Sequence, residues 1–422
     1  MNRVGTWIAV LVALLLPAGV GAAISAPATF AALHAPGPAR AVPHPAPPVH
    51  DPARPTAAVV LGADGAVASD VLGPFETLAV TDRFNVYAVA ADHDPVVLTG
   101  GLDLLPHLTF DELTDRLDGA APDLVIVPAL PADDDPAGAW ADAQVDRGAH
   151  VVGVCNGAGV LAAAGVLDGR TATAHWTRVE RYTAAHDRTD WVSSVRFVSD
   201  GPVVTTAGIL SGLDGTLHAV EQLTDPSTAD RAAAAIGWTR HRAEDPVHAP
   251  GGPYPVAVVN AALRWDPDRI GVVVTPGVGE LELASVFDVH GGQSLAARTV
   301  ALSADGGPVR THHGLTVLPR DDLSAAGLDR MLTPGPTGLH AAGGFAFDAA
   351  LVDLARTTDR STAAWTAAVH EFPADGLVLD GPAWPWVPTL LPVGLGLVAA
   401  AITGILLRHR SRKESTTKPL PT

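Results

Sequence analysis

Lysine is nearly absent from this chain, occurring only as Lys413 and Lys418 in the C-terminal tail. No lysine of the folded region can form a Schiff base, which excludes pyridoxal phosphate held that way. Cysteine is rarer still: Cys155 is the only one. A single thiol excludes an intrachain disulfide and a cysteine-based zinc cluster. Basic charge is also short, with 27 Lys and Arg against 45 Asp and Glu, a net charge of -18. A phosphate backbone calls for a basic surface, so no nucleic-acid partner is expected. No cofactor or metal is expected either.

What is present is apolar material and punctuation. The 422 residues allow two or three domains, and 47% hydrophobic content supplies a core. The 42 glycines and 36 prolines are spread, marking turns and linkers rather than a fibrous repeat.

Both ends read as membrane-related. Residues 6–24 form an uncharged apolar run after Arg3, close to the roughly 20 residues of a spanning helix. Small residues at Gly21, Ala22, Ala23 and Ala26 also suit cleavage. Residues 1–26 are thus a signal peptide or an N-terminal anchor. Residues 387–407 form a second apolar run, prefaced by Trp384 and Trp386 and followed by Arg408, His409, Arg410, Arg412 and Lys413. This predicts a transmembrane helix with a basic cytoplasmic tail, 408–422, and the bulk of the chain outside the cell membrane. Residues 27–56, rich in Ala, Pro and His, predict an extended linker that holds the domain off the membrane. The spacing of His34, His44 and His50 does not suit a single metal site.

From residue 57, strand-like segments at 57–61, 85–90, 123–127 and 203–206 alternate with helical ones at 75–80, 111–117, 140–147, 213–223 and 229–236. This rhythm predicts an α/β fold with a parallel sheet covered by helices. Val151, Val152, Gly153 and Val154 predict a buried strand running into Cys155, after which Asn156, Gly157, Ala158 and Gly159 open a helix. A nucleophile where a strand turns sharply into a helix is a nucleophile elbow. Glycines permit the turn, and the helix N-terminus favours a thiolate or an oxyanion, predicting a lowered thiol pKa.

A second copy of the first half begins near Arg269. Gly101, Leu102, Asp103, Leu104, Leu105 and Pro106 recur as Gly314, Leu315, Thr316, Val317, Leu318 and Pro319. Asp70 and Glu76 align with Glu282 and Asp288, and Asp214 with Asp348. Between Pro334 and Phe347 there is no room for an elbow strand and its helix. The second copy is therefore shortened and has no nucleophile, and Glu282 reads as a structural relic. The expected layout is a first unit at 57–243, a linker at 244–268 and a truncated unit at 269–373. The two pair within one chain or across a homodimer. The pair His312 and His313 precedes a strand and reads as an exposed turn.

The run Cys155, Asn156, Gly157, Ala158, continuing through Ala164, Gly165, Val166, Leu167, Asp168, Gly169 and ending at Thr173, Ala174, His175, Trp176, resembles the ThiJ/PfpI family of the class I glutamine amidotransferase-like superfamily. The likeness runs from residue 57 to 238 and partly again from 269 to 372. The resemblance implies a flavodoxin-like three-layer sandwich with the cysteine at the elbow. It implies an acidic residue from the first βα connection near the sulfur, matching Asp70, and a histidine near the cysteine, matching His175. Known members include isonitrile hydratases, glyoxalase or deglycase-type enzymes and ligand-sensing halves of transcription regulators. The chain departs from the family pattern at two places. Asn156 replaces the usual Ser, Thr or His and cannot act as acid or base. Pro128, Ala129 and Leu130 replace Pro-Gly-Gly.

The candidate catalytic residues are Cys155, Asp70 and His175. A protonated Asp70 would donate to sulfur and then deliver its proton; a helix cap is its plainer role. His175 is a base, a water-orienting group or a hydrogen-bonded core residue. Asn156, Gly157, Ala129 and Leu130 are the candidate oxyanion or substrate-binding residues, with N–H groups at Asn156 and after Pro128 forming the hole. Two functions stay open. One is a hydratase or hydrolase acting on an isonitrile, aldehyde or glyoxal-type molecule. The other is a degenerate small-molecule sensor or scaffold outside the membrane.

Overall fold

A computed structural model of the chain describes residues 3–40, 42, 44–133, 135–240, 254–336, 338–339, 344–374 and 376–416. Residues 244–253 of the expected linker and 417–422 of the expected tail lie outside these.

The first sheet follows the βαβ rhythm. Its strands come from β1 (Thr56–Val60), β2 (Asn85–Ala90), β5 (Leu108–Thr109), β6 (Leu124–Val127), β7 (His150–Gly153), β8 (Phe197–Asp200) and β9 (Val203–Thr206). A hairpin of β3 (Val96–Leu98) and β4 (Leu102–Leu105) leaves the sheet between β2 and β5. The order is β8-β9-β7-β6-β1-β2-β5, parallel throughout except at the β8–β9 edge. Every residue of β1 and β6 is buried, as continuous apolar runs in a sheet covered on both faces require. The flanking helices include α2 (Ala68–Ala79), α3 (Gly157–Ala164), α4 (Ser211–Leu223) and α5 (Pro226–Ala235). The α/β sandwich expected from the sequence is the fold observed.

A second, four-stranded sheet uses β10 (Asp268–Val273), β11 (Ala297–Ser303), β14 (Asp321–Asp322) and β15 (Arg330–Leu332). Its order, β14-β11-β10-β15, is parallel at every pair and repeats the β5-β2-β1-β6 order of the first sheet. A third sheet joins the two: β12 (Val309–Arg310) and β13 (Thr316–Leu318) extend the β3–β4 hairpin through an antiparallel β13–β4 pair.

Helix α6 (Glu280–Val286) packs on α2 across this seam. The contacts are reciprocal. Asp288 accepts the Ser69 N–H at 2.8 Å, and Glu76 accepts the Leu281 N–H at 2.6 Å. Ser69 and Leu281 are each the second residue of their helix, so each carboxyl caps an orphan N–H of the facing helix. Helices α7 (Ala346–Thr357) and α8 (Arg360–Val369) close the second unit. Asp225 caps α5 through Thr228, and Asp359 caps α8 through Thr362, with the same pair of bonds.

Among the described residues, two helices are long and apolar enough to cross a membrane: α1 (Arg3–Leu33) and α9 (Trp386–Thr416). They pack on each other, and a Cβ on Gly396 would lie 2.1 Å from the Leu14 carbonyl oxygen. Helix α1 runs on to Leu33, so the first part of the Pro-rich segment is helical. The remainder lies along the domain, with Asn85 bonded to Asp51 and Arg320 to the Ala35 carbonyl.

Candidate active site

Strand β7 delivers Cys155 to the turn before α3, with φ at +57°. That left-handed conformation costs a non-glycine residue about 1–2 kcal/mol. The turn is held closely. A Cβ on Gly157 would lie 2.1 Å from the Val127 carbonyl oxygen, so only glycine lets the elbow approach the loop after β6. The Cys155 N–H donates to Thr206 Oγ1 at 3.3 Å. The thiol is buried. Burial pushes its pKa well up, the carboxyls of Asp70 and Glu371 act the same way when ionised, and the Asn156 N–H and Arg178 oppose them. This reverses the lowered pKa expected from the helix N-terminus: loss of solvation outweighs the few dipoles facing the sulfur.

Asp70 sits in the first turn of α2 with no exposure. Its Oδ2 accepts the Ala129 N–H at 3.0 Å, and its Oδ1 is buried without a partner. Burial drives this carboxyl well above its usual range, with Asp288 and Glu371 adding to the effect against the Ala129 bond. Burial thus favours the neutral acid at Asp70, and Oδ1 is the oxygen left free by the Ala129 bond. The Ala129 N–H is spent on Asp70, which removes it from the oxyanion hole expected after Pro128. Asn156 remains, its N–H toward the sulfur and its buried Oδ1 unpaired. Leu130 lines a polar cavity of about 480 Å3 with Asn156, Arg178 and Tyr182.

His175 is tied at both ring nitrogens. Nδ1 lies 2.7 Å from Thr177 Oγ1 and Nε2 lies 3.0 Å from the Val369 carbonyl. Burial lowers its pKa to about 4, so the ring is neutral and Nε2 is the donor. The ring joins the first unit to the end of α8.

Glu371 escaped the sequence reading. It comes just after α8, in the second unit, with φ at +51°. The matching residue after α5 is Gly237, at φ +72°. The Ser211 hydroxyl donates to Glu371 Oε2, and Oε1 is buried without a partner. Burial raises this carboxyl to about 7. Its room comes from Gly208, where a Cβ would lie 2.2 Å from the carboxyl carbon. Nothing local marks such a residue. The signal lay in the repeat, where a glutamate stands in place of a glycine.

Glu282 is the third residue of α6, as Asp70 is of α2, and accepts the Gly279 N–H at 3.1 Å. His313 is half-buried rather than an exposed turn, its Nδ1 2.7 Å from Glu280 Oε2. With Glu76 these residues bring three donor atoms within 4.8 Å of one another, the one cluster among the described residues that could hold a cation.

The DJ-1/PfpI family profile matches residues 56–222. An isonitrile hydratase of Pseudomonas putida is 30% identical over 206 residues, which cover 46% of this chain and 83% of that enzyme. The chain belongs to the DJ-1/PfpI family. The transcriptional regulator CdhR of Pseudomonas aeruginosa is 29% identical over 164 residues, and the chain spans 46% of that protein. This family thus holds both enzymes and regulators. Among solved structures, a ThiJ/PfpI family protein from Pseudomonas syringae aligns with a TM-score of 0.40 at 25% identity, covering 50% of this chain and 81% of that one.

Proposed function

We propose that this protein is a membrane-anchored DJ-1/PfpI enzyme in which Cys155 attacks the electrophilic carbon of a small molecule of isonitrile, aldehyde or glyoxal type. The observation that carries the reading is a strained elbow thiol within the electrostatic reach of a buried Asp70 that burial favours as the neutral acid and whose Oδ1 makes no hydrogen bond. In isonitrile hydration, sulfur bonds to the terminal carbon while Asp70 gives that carbon its proton and takes up the thiol's. Water then adds across the resulting C=N bond. Collapse to the formamide breaks the C–S bond, and the hydroxyl proton passes through Asp70 to sulfur. His175 is a positioning residue in this scheme.

The second unit reads as a truncated copy paired with the first inside one chain. The repeated strand order, the reciprocal caps at α2 and α6 and the twin Asp caps of α5 and α8 support this. Anchoring is supported by α1 and α9 and by their close approach at Leu14 and Gly396. With basic residues after the span, the bulk of the chain faces outward.

A degenerate sensor is the second reading, favoured by the raised thiol pKa and the doubly bonded His175. Turnover of a simple alkyl isonitrile by the full chain, read as formamide, decides between them. Turnover lost in Cys155→Ser supports the enzyme. Ligand-induced thermal stabilisation without turnover supports the sensor.

A further inference from the structure

The space beside Cys155 is an apolar chamber of about 530 Å3. Cys155, Asn156 and His175 are among the residues that line it. One wall is unexpected: Ala26, Phe30 and Leu33, from the last turns of α1. Phe30 and Val258 border it with 56% and 62% of their surface exposed. Arg178 is the only lining residue with a formal charge at neutral pH, and it also lines the polar cavity next door.

The height of this chamber can be read from helix geometry. Leu14 of α1 lies against Gly396 of α9; the C-terminal end of α1 bonds to the domain at Ala261 and Arg298, and the chain leading into α9 bonds to it at Ser361, so the two helices run antiparallel. Counting about ten residues along each, at 1.5 Å per residue, brings Ile24 level with Trp386. About 20 residues cross the hydrocarbon core. Ala26, Phe30 and Leu33 therefore stand just above it, at headgroup level. Trp265, packed on Gly21, and Trp384 lie near the same height, as an aromatic belt does. The apolar surface of α1, with Ile24 68% exposed, leads from the bilayer to the chamber's wall.

We propose that the substrate is a single-chain amphiphile drawn from the outer leaflet, with its electrophilic end at Cys155 and its apolar chain along α1. This rests on the reading of Cys155 as reactive and of α1 as a retained anchor. A water-borne polar substrate would leave most of the chamber wall without a matching surface.

The test uses the full chain in phospholipid nanodiscs, labelled with N-ethylmaleimide or N-dodecylmaleimide and read by intact mass. Cys155 is the sole thiol, so every cysteine adduct reports on it. The expected result is dodecyl labelling about tenfold faster than ethyl. Ala26→Trp, which fills the wall, and Val258→Asp, at an exposed border position, should each slow the dodecyl reaction about tenfold and the ethyl reaction less than about threefold. Equal rates for the two probes, or equal slowing of both by the two variants, would overturn the proposal and leave Cys155 reactive. Failure of even the ethyl probe to label folded protein would instead overturn the reading of Cys155, and this proposal with it. The same spectra report α1: a mature chain beginning near Ala26 removes the wall and overturns the proposal.

Discussion

The two parallel sheets share a strand order and part ways at its end. The first continues past β6 into β7, Cys155 and α3; the second stops at β15 and returns to α7. Both keep the helix after their first strand, with an acidic third residue, and both keep the carboxylate that caps the facing helix. The machinery of packing across the seam persists in both units. The elbow cysteine stands on one side only, yet the other side contributes Glu371, held left-handed where the first unit has Gly237. A strained residue survives when its surroundings over-determine it, and such residues gather at functional sites.

The comparison breaks most readily at the elbow. Cys155→Ala should lower turnover by about 10³-fold or more, while Glu282→Gln in the matching helix should leave it within about threefold. Loss of activity in Glu282→Gln without loss of folding would make the second unit more than a partner for packing. Asp70→Asn keeps the side chain's size while removing its acid. Turnover should fall by about 10²-fold or more, measured at saturating substrate to isolate kcat.

The seam sharpens the comparison through stability. Asp288 receives the Ser69 N–H and the hydroxyls of Ser69 and Thr99, all buried, whereas Glu76 receives the Leu281 N–H. Asp288→Ala should cost about 2–4 kcal/mol and Glu76→Ala about 1, by urea unfolding of the full chain. Equal costs would mean the seam is held by its apolar contacts rather than its caps.

The smallest expected effect is a pH dependence. Glu371 titrates at about 7 in the folded chain, above the ordinary glutamate value. Its contribution is fully present below the unfolded value of about 4.3 and is lost as pH rises through about 7. Between about pH 5 and pH 8 the wild-type chain should therefore lose stability relative to Glu371→Gln, on the order of 1–3 kcal/mol. A gap that does not move with pH would place an ionised Glu371 in the fold.

Much of the fold and site was legible in the chain. Alternating apolar strands and amphipathic helices yielded the sandwich, and Cys155 announced itself as the only thiol, placed between a buried strand and a run of glycines. Asp70 emerged from the repeat and the resemblance. The parts that escaped are set by contacts between distant residues. Edge strand β8 is only half-buried, so it lacks a continuous apolar run. The joining of β4 to β13 spans the two units and leaves no local pattern. The thiol's raised pKa depends on burial and on Glu371, 216 residues away, and a helix N-terminus read from sequence cannot weigh either.

The central claim is that Cys155 is a folded-state nucleophile governed by Asp70. The most direct test is the pH profile of iodoacetamide alkylation at Cys155, in the full chain and in Asp70→Asn. The account predicts reaction without unfolding, a titration above the ordinary thiol value of about 8.5, and a downward move in the variant, because Asn cannot ionise beside the thiol as the pH is raised. A thiol that stays inert until denaturant unfolds the chain, in both proteins alike, would contradict it.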